Sequence, residues 1–507
     1  MIESETANCV AAPGKAPEGV SSGNGSRPGL ARRTMRAASW ATLESMGGQC
    51  ISFVVFLVMA RLLTPADFGA VAIANLYVQF SQVLIFQGLG QAIVQKAELS
   101  REDLEAAFWI NVAFGLVVAA VTIPVCGPVA VWFHSPGLAL LLCWLSPIFV
   151  LSALADVQTN LLAREFAYKS LALRTIVAFS CGGLVGIFMA RAGYGIWSLV
   201  GQQLTVGVFN VALLWTASPW RPRFCFSGSH AWTMWHFSSR LMGHEFVTLG
   251  SRRSDIFFVG KYLNAVATGT YAIAQRVSTL LNEIVVRSLG RVSLASLARL
   301  QGQPDGMVGA FSRIMQLQSC LIFPAAAALS FFAREVVLVT VGPHWVSAVP
   351  AMRVLLLAIP LEALSALNAA AIIARGRPGW VSILTLVHAG LNVIFFAIVA
   401  RWGIVAVATA YVIRAALLYP VEIAYLRRLI PIPVSQICVS CLPPLIAVVA
   451  MTGADTLIRT FLPVGCPSIL MLLVGLPASG LIYAGLLAIM RRDLIFNTWS
   501  DLKLLRA

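Results

Sequence analysis

The sequence predicts an all-α polytopic membrane protein with about fourteen transmembrane helices, and three observations lead to that prediction. Hydrophobic residues make up 59% of the 507 positions and charged residues only 11%, whereas soluble proteins carry about 25% charged residues. Apolar segments follow one another along the chain, and the loops between them are alternately rich and poor in Lys and Arg. So large an apolar excess cannot be buried in one water-soluble core, so the bilayer must act as the solvent of this chain.

Fourteen segments have the length and apolarity of a spanning helix, which needs about 20 mainly apolar residues. They cover 39–63, 68–93, 105–133, 138–162, 170–190, 195–216, 236–260, 266–290, 311–341, 347–374, 380–400, 404–426, 434–458 and 468–490. The seventh is the least apolar of them. The longest connections, 217–235 and 291–310, are too short for a soluble domain.

The Lys and Arg content of each loop predicts the side of the membrane on which it lies. Basic residues gather in the N-terminal segment, in every second loop and in the C-terminal tail: Arg32, Arg33, Arg36, Lys96, Arg101, Arg164, Lys169, Arg221, Arg223, Arg291, Arg299, Arg313, Arg375, Arg377, Arg427, Arg428, Arg491, Arg492, Lys503 and Arg506. The intervening loops hold little more than Arg191, Lys261, Arg401 and Arg459. We therefore expect both termini in the cytoplasm, and we attribute the net charge of +15 to topology rather than to nucleic-acid binding.

An internal repeat predicts how the helices are grouped. The stretch ARLLTPADFGAVAIAN, from Ala60, matches GKYLNAVATGTYAIAQ, from Gly260, at a register of 200 residues, so that Gly69 is equivalent to Gly269. A looser match pairs LLAR (161–164) with IIAR (372–375). Each copy holds six helices, an even number, so both copies insert in the same direction as a parallel repeat. Helices 13 and 14 lie outside the repeat.

These observations predict five regions. They are a disordered cytoplasmic tail (1–36), an N-lobe of helices 1–6 (37–216), a cytoplasmic inter-lobe loop (217–235), a C-lobe of helices 7–12 (236–428), and a last region with helices 13–14 and a cytoplasmic tail (429–507).

Charged residues inside the bilayer mark functional sites by default, because burying them in hydrocarbon is costly. Nine residues form the candidate substrate cavity: Arg252, Asp255, Arg276, Glu283, Arg287, Arg414, His244, Gln79 and Gln82. Their arginines suit an anionic substrate, since a guanidinium donates bidentate hydrogen bonds to phosphate. Alternatively, Arg252 with Asp255, and Glu283 with Arg287, form structural pairs within one helix. The ten cysteines are scattered and predict no metal site.

Other polar positions in the same segments have a simpler interpretation. His388 and Asn392 are expected to make hydrogen bonds between helices. Gly182 and Gly186 form a GxxxG pattern, which is expected to allow close helix packing.

Four stretches carry a family resemblance. They are ARLLTPADFGAVAI (60–73), GLGQAIVQKAELSREDLEAAFWIN (88–111), LLAREFAYKSLALR (161–174) with GYGIWSLV (193–200), and SRRSDIFFVGKYLNAVATGTYAIAQR (251–276). In spacing and residue type they resemble the polysaccharide transporters (Wzx-type flippases), whose superfamily also holds multidrug (MATE) exporters and lipid II flippases. The family's R-x-x-D pattern falls on Arg252 and Asp255, with Arg253 as an extra charge. The ion-coupling carboxylate of MATE helix 1 has no clear counterpart, since Glu44 lies near the inner end.

The resemblance implies a MATE-like V-shaped bundle that works by alternating access, with no catalytic residue, metal or cofactor. The implied cargo is an undecaprenyl-pyrophosphate-linked oligosaccharide, moved across the bacterial inner membrane for exopolysaccharide or lipopolysaccharide synthesis. Besides this substrate and membrane lipids, the expected partners are polysaccharide assembly proteins such as a polymerase and a chain-length regulator. A coupling ion remains open.

Two rival classes predict different sequences. A MATE-like drug/cation antiporter should carry acids rather than arginines in its cavity. A membrane polysaccharide polymerase should carry a large outer loop with catalytic groups, whereas the outer loops here are short.

Overall fold

The computed structural model describes residues 27–86, 90, 93–94, 96, 99–223, 228–461 and 467–490, and most of these residues are helical. Its α-helices are α1 (Arg27–Leu62), α2 (Pro65–Phe86), α3 (Arg101–Trp132), α4 (Gly137–Leu145), α5 (Pro147–Arg164), α6 (Tyr168–Arg191), α7 (Trp197–Ala217), α8 (Gly228–Tyr262), α9 (Ala265–Leu281), α10 (Arg287–Arg299), α11 (Pro304–Phe331), α12 (Ala333–Thr340), α13 (Val349–Ala374), α14 (Pro378–Val399), α15 (Ile404–Leu429), α16 (Val434–Phe461) and α17 (Ser468–Met490). A π-helical turn, Asn282–Val286, joins α9 to α10, and 3₁₀ helices cover Pro343–Ala348 and Ala400–Trp402.

Eleven helical segments of the described chain are long and apolar enough to cross a membrane. They coincide with eleven of the fourteen predicted segments, which confirms an all-α, multi-pass membrane protein. The other three predicted segments correspond to α2, α8 and α9, which are also helical; α9 has only 17 residues, and α8 carries several charged side chains. A helix that keeps its polar side chains inside the protein need not be apolar all round. The number of fourteen crossings stays a prediction.

Two helices begin earlier than predicted. Helix α1 begins at Arg27, so residues 27–36 continue the helix instead of belonging to a disordered tail; residues 1–26 and 491–507 lie outside the described residues. Helix α8 begins at Gly228, within the predicted loop 217–235. Hydropathy indicates where a helix meets hydrocarbon, whereas its hydrogen bonds begin wherever the local sequence tolerates a helix.

Two predicted segments are each divided into a short and a long helix. The segment 138–162 breaks between α4 and α5, where Pro147 has no amide hydrogen to donate into the preceding turn. The segment 311–341 breaks at Phe332, between α11 and α12.

The helices form two compact units. Unit 1 comprises Met1–Leu62, Tyr77–Ala130 and Gly137–Phe246; unit 2 comprises Leu63–Leu76, Val131–Pro136 and Val247–Ala507. Unit 2 thus takes in the N-terminal part of α2 and the loop between α3 and α4, as well as the two C-terminal helices.

Close packing at glycines holds three helices of unit 1 together. A methyl group on Gly182 would lie 2.9 Å from the backbone oxygen of Gln202 on α7, and one on Gly186 would lie 2.9 Å from the Gln202 side chain. On the adjacent side of α6, a methyl group on Gly183 would meet Val55 of α1 at 2.3 Å. The GxxxG pattern therefore does bring two helices into close contact, as the sequence predicts.

The C-terminal helices pack within unit 2, where α16 lies against α11 and α17 lies against α16 and α12. Arg459 on α16 donates to the buried Glu335 carboxylate on α12, at 2.8 Å. Ser479 on α17 donates to Asp455 on α16, at 2.7 Å. These polar contacts fix the two helices to the rest of the unit in addition to their apolar contacts.

The equivalent turns of the internal repeat have the same construction. Helix α1 ends at Leu62 and α2 begins at Pro65, and α8 ends at Tyr262 and α9 begins at Ala265, so both turns follow the register of 200 residues. The Thr64 hydroxyl accepts from the amide of Asp67, and the Asp67 carboxylate accepts from the amide of Thr64. Asn264 caps α9 in the same way, accepting from the amide of Ala267 at 2.8 Å.

The looser repeat match also marks equivalent helix ends, but with a shift of one residue. Helix α5 ends with Ala167 N–H donating to Leu162 O, and α13 ends with Arg377 N–H donating to Ile372 O. These bonds differ by 210 residues, whereas LLAR and IIAR align at 211. In both turns the next-to-last residue has a positive φ, 59° at Phe166 and 74° at Gly376. Hydrogen bonding rather than residue identity sets where these helices stop.

Candidate functional site

Three carboxylates on α8, α13 and α15 of unit 2 are buried or half-buried, and each is hydrogen-bonded to a neighbouring helix. The first is Asp255 on α8, which is 3% exposed. It accepts from the Tyr271 hydroxyl at 3.0 Å and from the Gln275 amide at 2.5 Å, both on α9. Its other oxygen accepts from the backbone amide of Ile256 at 2.7 Å. The carboxylate therefore has partners on two helices, as a charge inside a membrane requires.

The second carboxylate, Glu362 on α13, lies beside the π-helical turn. It accepts from Asn282 in that turn, at 2.5 Å, and from the Tyr411 hydroxyl on α15. A π-helical turn leaves one residue out of the regular hydrogen-bond pattern and occurs often at functional sites. Here it sits where α9 passes into α10, next to a carboxylate that joins three helices.

The third carboxylate, Glu422 on α15, belongs to a chain of polar side chains from three helices. His388 Nε2 on α14 lies 3.0 Å from Glu422, and Asn368 on α13 donates to the same carboxylate at 3.3 Å. Arg414 on α15 contacts His388 Nδ1. Because a guanidinium can only donate, Nδ1 must accept, so the proton of the neutral ring is on Nε2 and is donated to Glu422.

Arg414 is the deeply buried cation of this chain of residues. It is 6% exposed, and its guanidinium carbon lies 4.8 Å from the centre of the Tyr411 ring. Its Nε has no hydrogen-bond partner within the described part of the chain. A buried guanidinium with an unused donor is suited to bind an anion that enters its surroundings.

The residues predicted on α8 and α9 are not arranged as expected. Arg252 is exposed, whereas Asp255 is buried and bonded to Tyr271 and Gln275. The two residues predicted to share a cavity or to pair within α8 therefore have different surroundings. Asp255 interacts electrostatically with Arg253, the residue treated as an extra charge.

Two further predicted residues do lie near each other. Arg276 on α9 interacts electrostatically with Glu283 in the π-helical turn, and also with Arg253. Arg287 is the first residue of α10, beyond the π-helical turn that contains Glu283, so the two residues do not lie on one regular α-helix as their predicted pairing assumes. The side chain of Arg287 and that of His244 lie outside the described residues.

Unit 1 contains the predicted glutamines and a second set of polar contacts. Gln82 on α2 donates to the Ser152 hydroxyl at 3.4 Å, and Gln79 lies one turn earlier on the same helix. Glu44 on α1 pairs with Arg174 on α6, at 3.2 Å. Because Arg174 neutralises Glu44, this carboxylate in helix 1 already has a cation partner supplied by the protein itself.

Asp156 on α5, a further carboxylate among the helices of unit 1, is bound by amides. It accepts from Asn111 at 2.7 Å and from Asn160 at 2.9 Å. Gln158, two residues away, is completely buried, and both polar atoms of its side chain lack a partner within the described residues.

His388 and Asn392 make the interhelical bonds that the sequence predicts. Asn392 on α14 donates to the Ser251 hydroxyl on α8, at 3.3 Å. The predicted cavity residues did not include His388, Glu422, Glu362 or Tyr411. All four take part in the hydrogen bonds between helices of unit 2. A signal was available, because Tyr411, Arg414 and Glu422 fall on one face of a helix at spacings of three and eight residues.

In the described part of the chain, no three His, Cys, Asp or Glu side chains come together as they would at a metal site.

Similarity to solved structures shows the fold. The lipid II flippase MurJ, in an inward closed conformation, matches 90% of this chain and 99% of its own length, with a TM-score of 0.71 and 13% identity. An inward-facing multidrug MATE transporter matches 76% of this chain and 97% of its own, with a TM-score of 0.56 and 13% identity. The fold is therefore that of these transporters.

Sequence relatives carry names from polysaccharide synthesis. The succinoglycan biosynthesis transport protein ExoT of Rhizobium meliloti is 28% identical over 327 residues, which are 64% of this chain and 66% of ExoT. The teichuronic acid biosynthesis protein TuaB of Bacillus subtilis is 23% identical over 438 residues, 84% of this chain and 88% of TuaB. The match thus spans just under two thirds of the length of ExoT and most of TuaB.

A family model described as "polysaccharide biosynthesis protein" matches residues 58–350, more than half of the chain. This range contains both copies of the repeat turn and all of the stretches that resemble the Wzx-type transporters, so the resemblance is confirmed. The chain belongs to this polysaccharide biosynthesis protein family.

Proposed function

We propose that this protein is a flippase for undecaprenyl-pyrophosphate-linked oligosaccharide repeat units, used in exopolysaccharide or lipopolysaccharide synthesis. The observation that carries the proposal is the combination of a polysaccharide biosynthesis family match with the fold of a lipid II flippase over 90% of the chain. Lipid II also joins a sugar to a polyprenyl lipid through pyrophosphate, so the same fold suits the same kind of cargo. The protein carries out transport by alternating access and no chemical step.

Arginines of unit 2 are proposed to receive the pyrophosphate. The cargo carries at least two negative charges, and taking them into a medium of low polarity without partners would block transport. Arg414 offers an unused donor, and Arg276 lies half-buried near the π-helical turn. Arg252 is exposed on α8, where it would add positive charge. Arg287, whose side chain lies outside the described residues, is included in the proposal from the sequence alone.

The proposed setting is the bacterial inner membrane, with both termini in the cytoplasm. This orientation places the basic loops beside the anionic inner leaflet, where the cargo is assembled. The polysaccharide polymerase and chain-length regulator are the proposed partners on the outer side. We assign no coupling ion.

A drug/cation antiporter of the same fold is the rival to exclude, because unit 2 places more carboxylates than arginines in its polar contacts. Asp255, Glu362 and Glu422 are, however, already bonded to neighbouring helices. Within the described residues, the Arg414 Nε beside these carboxylates is a buried donor without a hydrogen-bond partner. An anionic cargo fits that arrangement better than a cationic drug does.

Deletion of the gene and complementation test the proposal. In the deletion strain, surface polysaccharide should disappear and the lipid-linked repeat unit should accumulate in the membrane; the wild-type gene should reverse both effects. Loss of drug resistance with normal polysaccharide would instead identify the antiporter, and polysaccharide that stops at a single exported repeat unit would identify a polymerase.

A further inference from the structure

Two cysteines of unit 1 lie side by side near the outer end of the α3–α4 hairpin. Cys126 is on α3 and Cys143 is on α4, and their sulfur atoms are 3.1 Å apart. The Cys143 thiol donates to the Cys126 sulfur, while the Cys126 thiol donates to the carbonyl of Ile123 at 3.0 Å. The two sulfur atoms are therefore already in contact in the folded protein.

The two cysteines lie at the same distance from the loop that joins α3 to α4. Cys126 lies six residues before the end of α3 at Trp132, and Cys143 lies six residues after the start of α4 at Gly137. Six residues of α-helix span about 9 Å. With 32 residues, α3 is about 48 Å long, roughly 18 Å more than the hydrocarbon core. If the excess is shared between its two ends, the sulfurs lie at the boundary between hydrocarbon and headgroups.

Access differs between the two cysteines in a way that suits disulfide exchange. Cys143 is half-buried, whereas Cys126 is buried. An incoming oxidant would therefore meet Cys143 first, and Cys126 would stand behind it as the resolving thiol.

We propose that Cys126 and Cys143 form a disulfide bond on the extracytoplasmic side, introduced by a dithiol–disulfide oxidoreductase. The inference goes beyond the proposed transport function and uses only its orientation, in which the loop after α3 is outside. Disulfides persist in that oxidising environment.

The reaction balances as a thiol–disulfide exchange. The Cys143 thiolate attacks the oxidoreductase disulfide, forms a mixed disulfide and releases one oxidoreductase thiolate. The Cys126 thiolate then attacks the Cys143 sulfur, forms the Cys126–Cys143 bond and releases the second thiolate. Two electrons pass to the oxidoreductase, and its two thiolates take up the two protons lost by the cysteines.

The bond would close the base of the loop between α3 and α4. That loop, Val131–Pro136, belongs to unit 2, where Lys261 donates to the carbonyl of Trp132 at 2.9 Å and lies over its ring. Linking the two helix ends below the loop would restrict its conformations in the unfolded chain and so stabilise the native hairpin.

The test counts oxidised thiols in the full-length protein in its native membrane. Cells are treated with N-ethylmaleimide to block free thiols; the protein is then denatured, reduced and labelled with maleimide-polyethylene glycol, which shifts its band for each thiol that was oxidised. Wild type should shift by two labels. Cys126→Ser and Cys143→Ser should each lose both labels, because removing one partner frees the other, while the matched control Cys181→Ser should keep both.

The main result of a second measurement comes from the wild-type protein alone. Wild-type cells grown with dithiothreitol should yield protein with no label, and the midpoint of its thermal unfolding in detergent should fall; dithiothreitol should leave the midpoint of Cys143→Ser unchanged. Wild type without a label in untreated cells would overturn the proposal, as would two labels that persist in both single variants.

Discussion

Gly69 and Gly269, which the internal repeat makes equivalent, lie against each other in unit 2 where α2 meets α9. A methyl group on Gly69 would lie 1.6 Å from the carbonyl oxygen of Ala265, and one on Gly269 would lie 2.0 Å from that of Pro65. Each methyl group would also lie 2.8 Å from the amide nitrogen of the other glycine. The near-symmetric distances are those expected of two copies of one unit related by a two-fold rotation, and they place both glycines at the same end of the bundle.

Alanine at either glycine should destabilise the protein, because the methyl group would overlap backbone atoms that cannot move independently of their helices. Overpacking of this kind costs about 1–3 kcal/mol. The midpoint of thermal unfolding in detergent should therefore fall for Gly69→Ala and for Gly269→Ala. Gly390→Ala is the matched control, since its methyl group would meet nothing within 4 Å. Midpoints for Gly69→Ala and Gly390→Ala that are equal would contradict the close crossing.

Asp255 and Arg252, three residues apart on α8, should behave independently. Asp255→Ala leaves the buried Tyr271 hydroxyl and the Gln275 amide without their acceptor, at a cost of about 1–3 kcal/mol. Arg252 is exposed, so Arg252→Ala should change stability by no more than about 0.5 kcal/mol. Unfolding midpoints and membrane abundance of both variants and of the double variant would measure this. Rescue of Asp255→Ala by adding Arg252→Ala would instead show that the two form a structural pair.

Arginines of the proposed cargo site should be needed for export but not for insertion. Arg276→Ala and Arg414→Ala are expected to stop surface polysaccharide while the protein remains in the membrane, and Arg252→Ala tests whether the exposed charge on α8 contributes. Lysine at each position should restore export in part, because it keeps the charge but loses the bidentate geometry. Polysaccharide would be quantified against protein level, with the exposed Arg353→Ala as control. Normal export by Arg276→Ala and Arg414→Ala would remove these residues from the site.

Orientation in the membrane is tested by labelling single introduced cysteines in intact cells. Ser135→Cys and Ser347→Cys lie in loops predicted to be outside and should react with an impermeant maleimide. The exposed Glu165→Cys, in a loop predicted to be inside, should react only after the cells are opened. The same protection is expected at Ser227, which lies outside the described residues. Reaction of Glu165→Cys in intact cells would invert the proposed topology.

The sequence predicted the helices and the capped turns, because both depend on residues that are close together along the chain. The helices exist because apolar runs must bury their backbone in hydrocarbon, and the turns at Thr64 and Asn264 form because both side chains cap the helix that follows. Helix ends were less predictable at Arg27 and Gly228, where the helix continues beyond the apolar run.

Partners between helices could not be predicted in the same way. Helical spacing shows which residues share one face of a helix. It does not show which neighbouring helix that face packs against. It therefore placed Arg252 beside Asp255, whereas the actual partners of Asp255, Tyr271 and Gln275, come from the next helix. The contact of His388 with Glu422 joins residues 34 positions apart on different helices, and only packing brings them together.

Transport by the purified protein is the most direct test of the central claim. Proteoliposomes would contain the protein and a labelled polyprenyl-pyrophosphate oligosaccharide in both leaflets, and an impermeant glycosidase would be added outside. If the protein is a flippase, cargo from the inner leaflet should become accessible and be cleaved, while Arg414→Ala liposomes should protect it as empty liposomes do. Protection of the inner-leaflet cargo by wild-type proteoliposomes, under every ion gradient applied, would contradict the account.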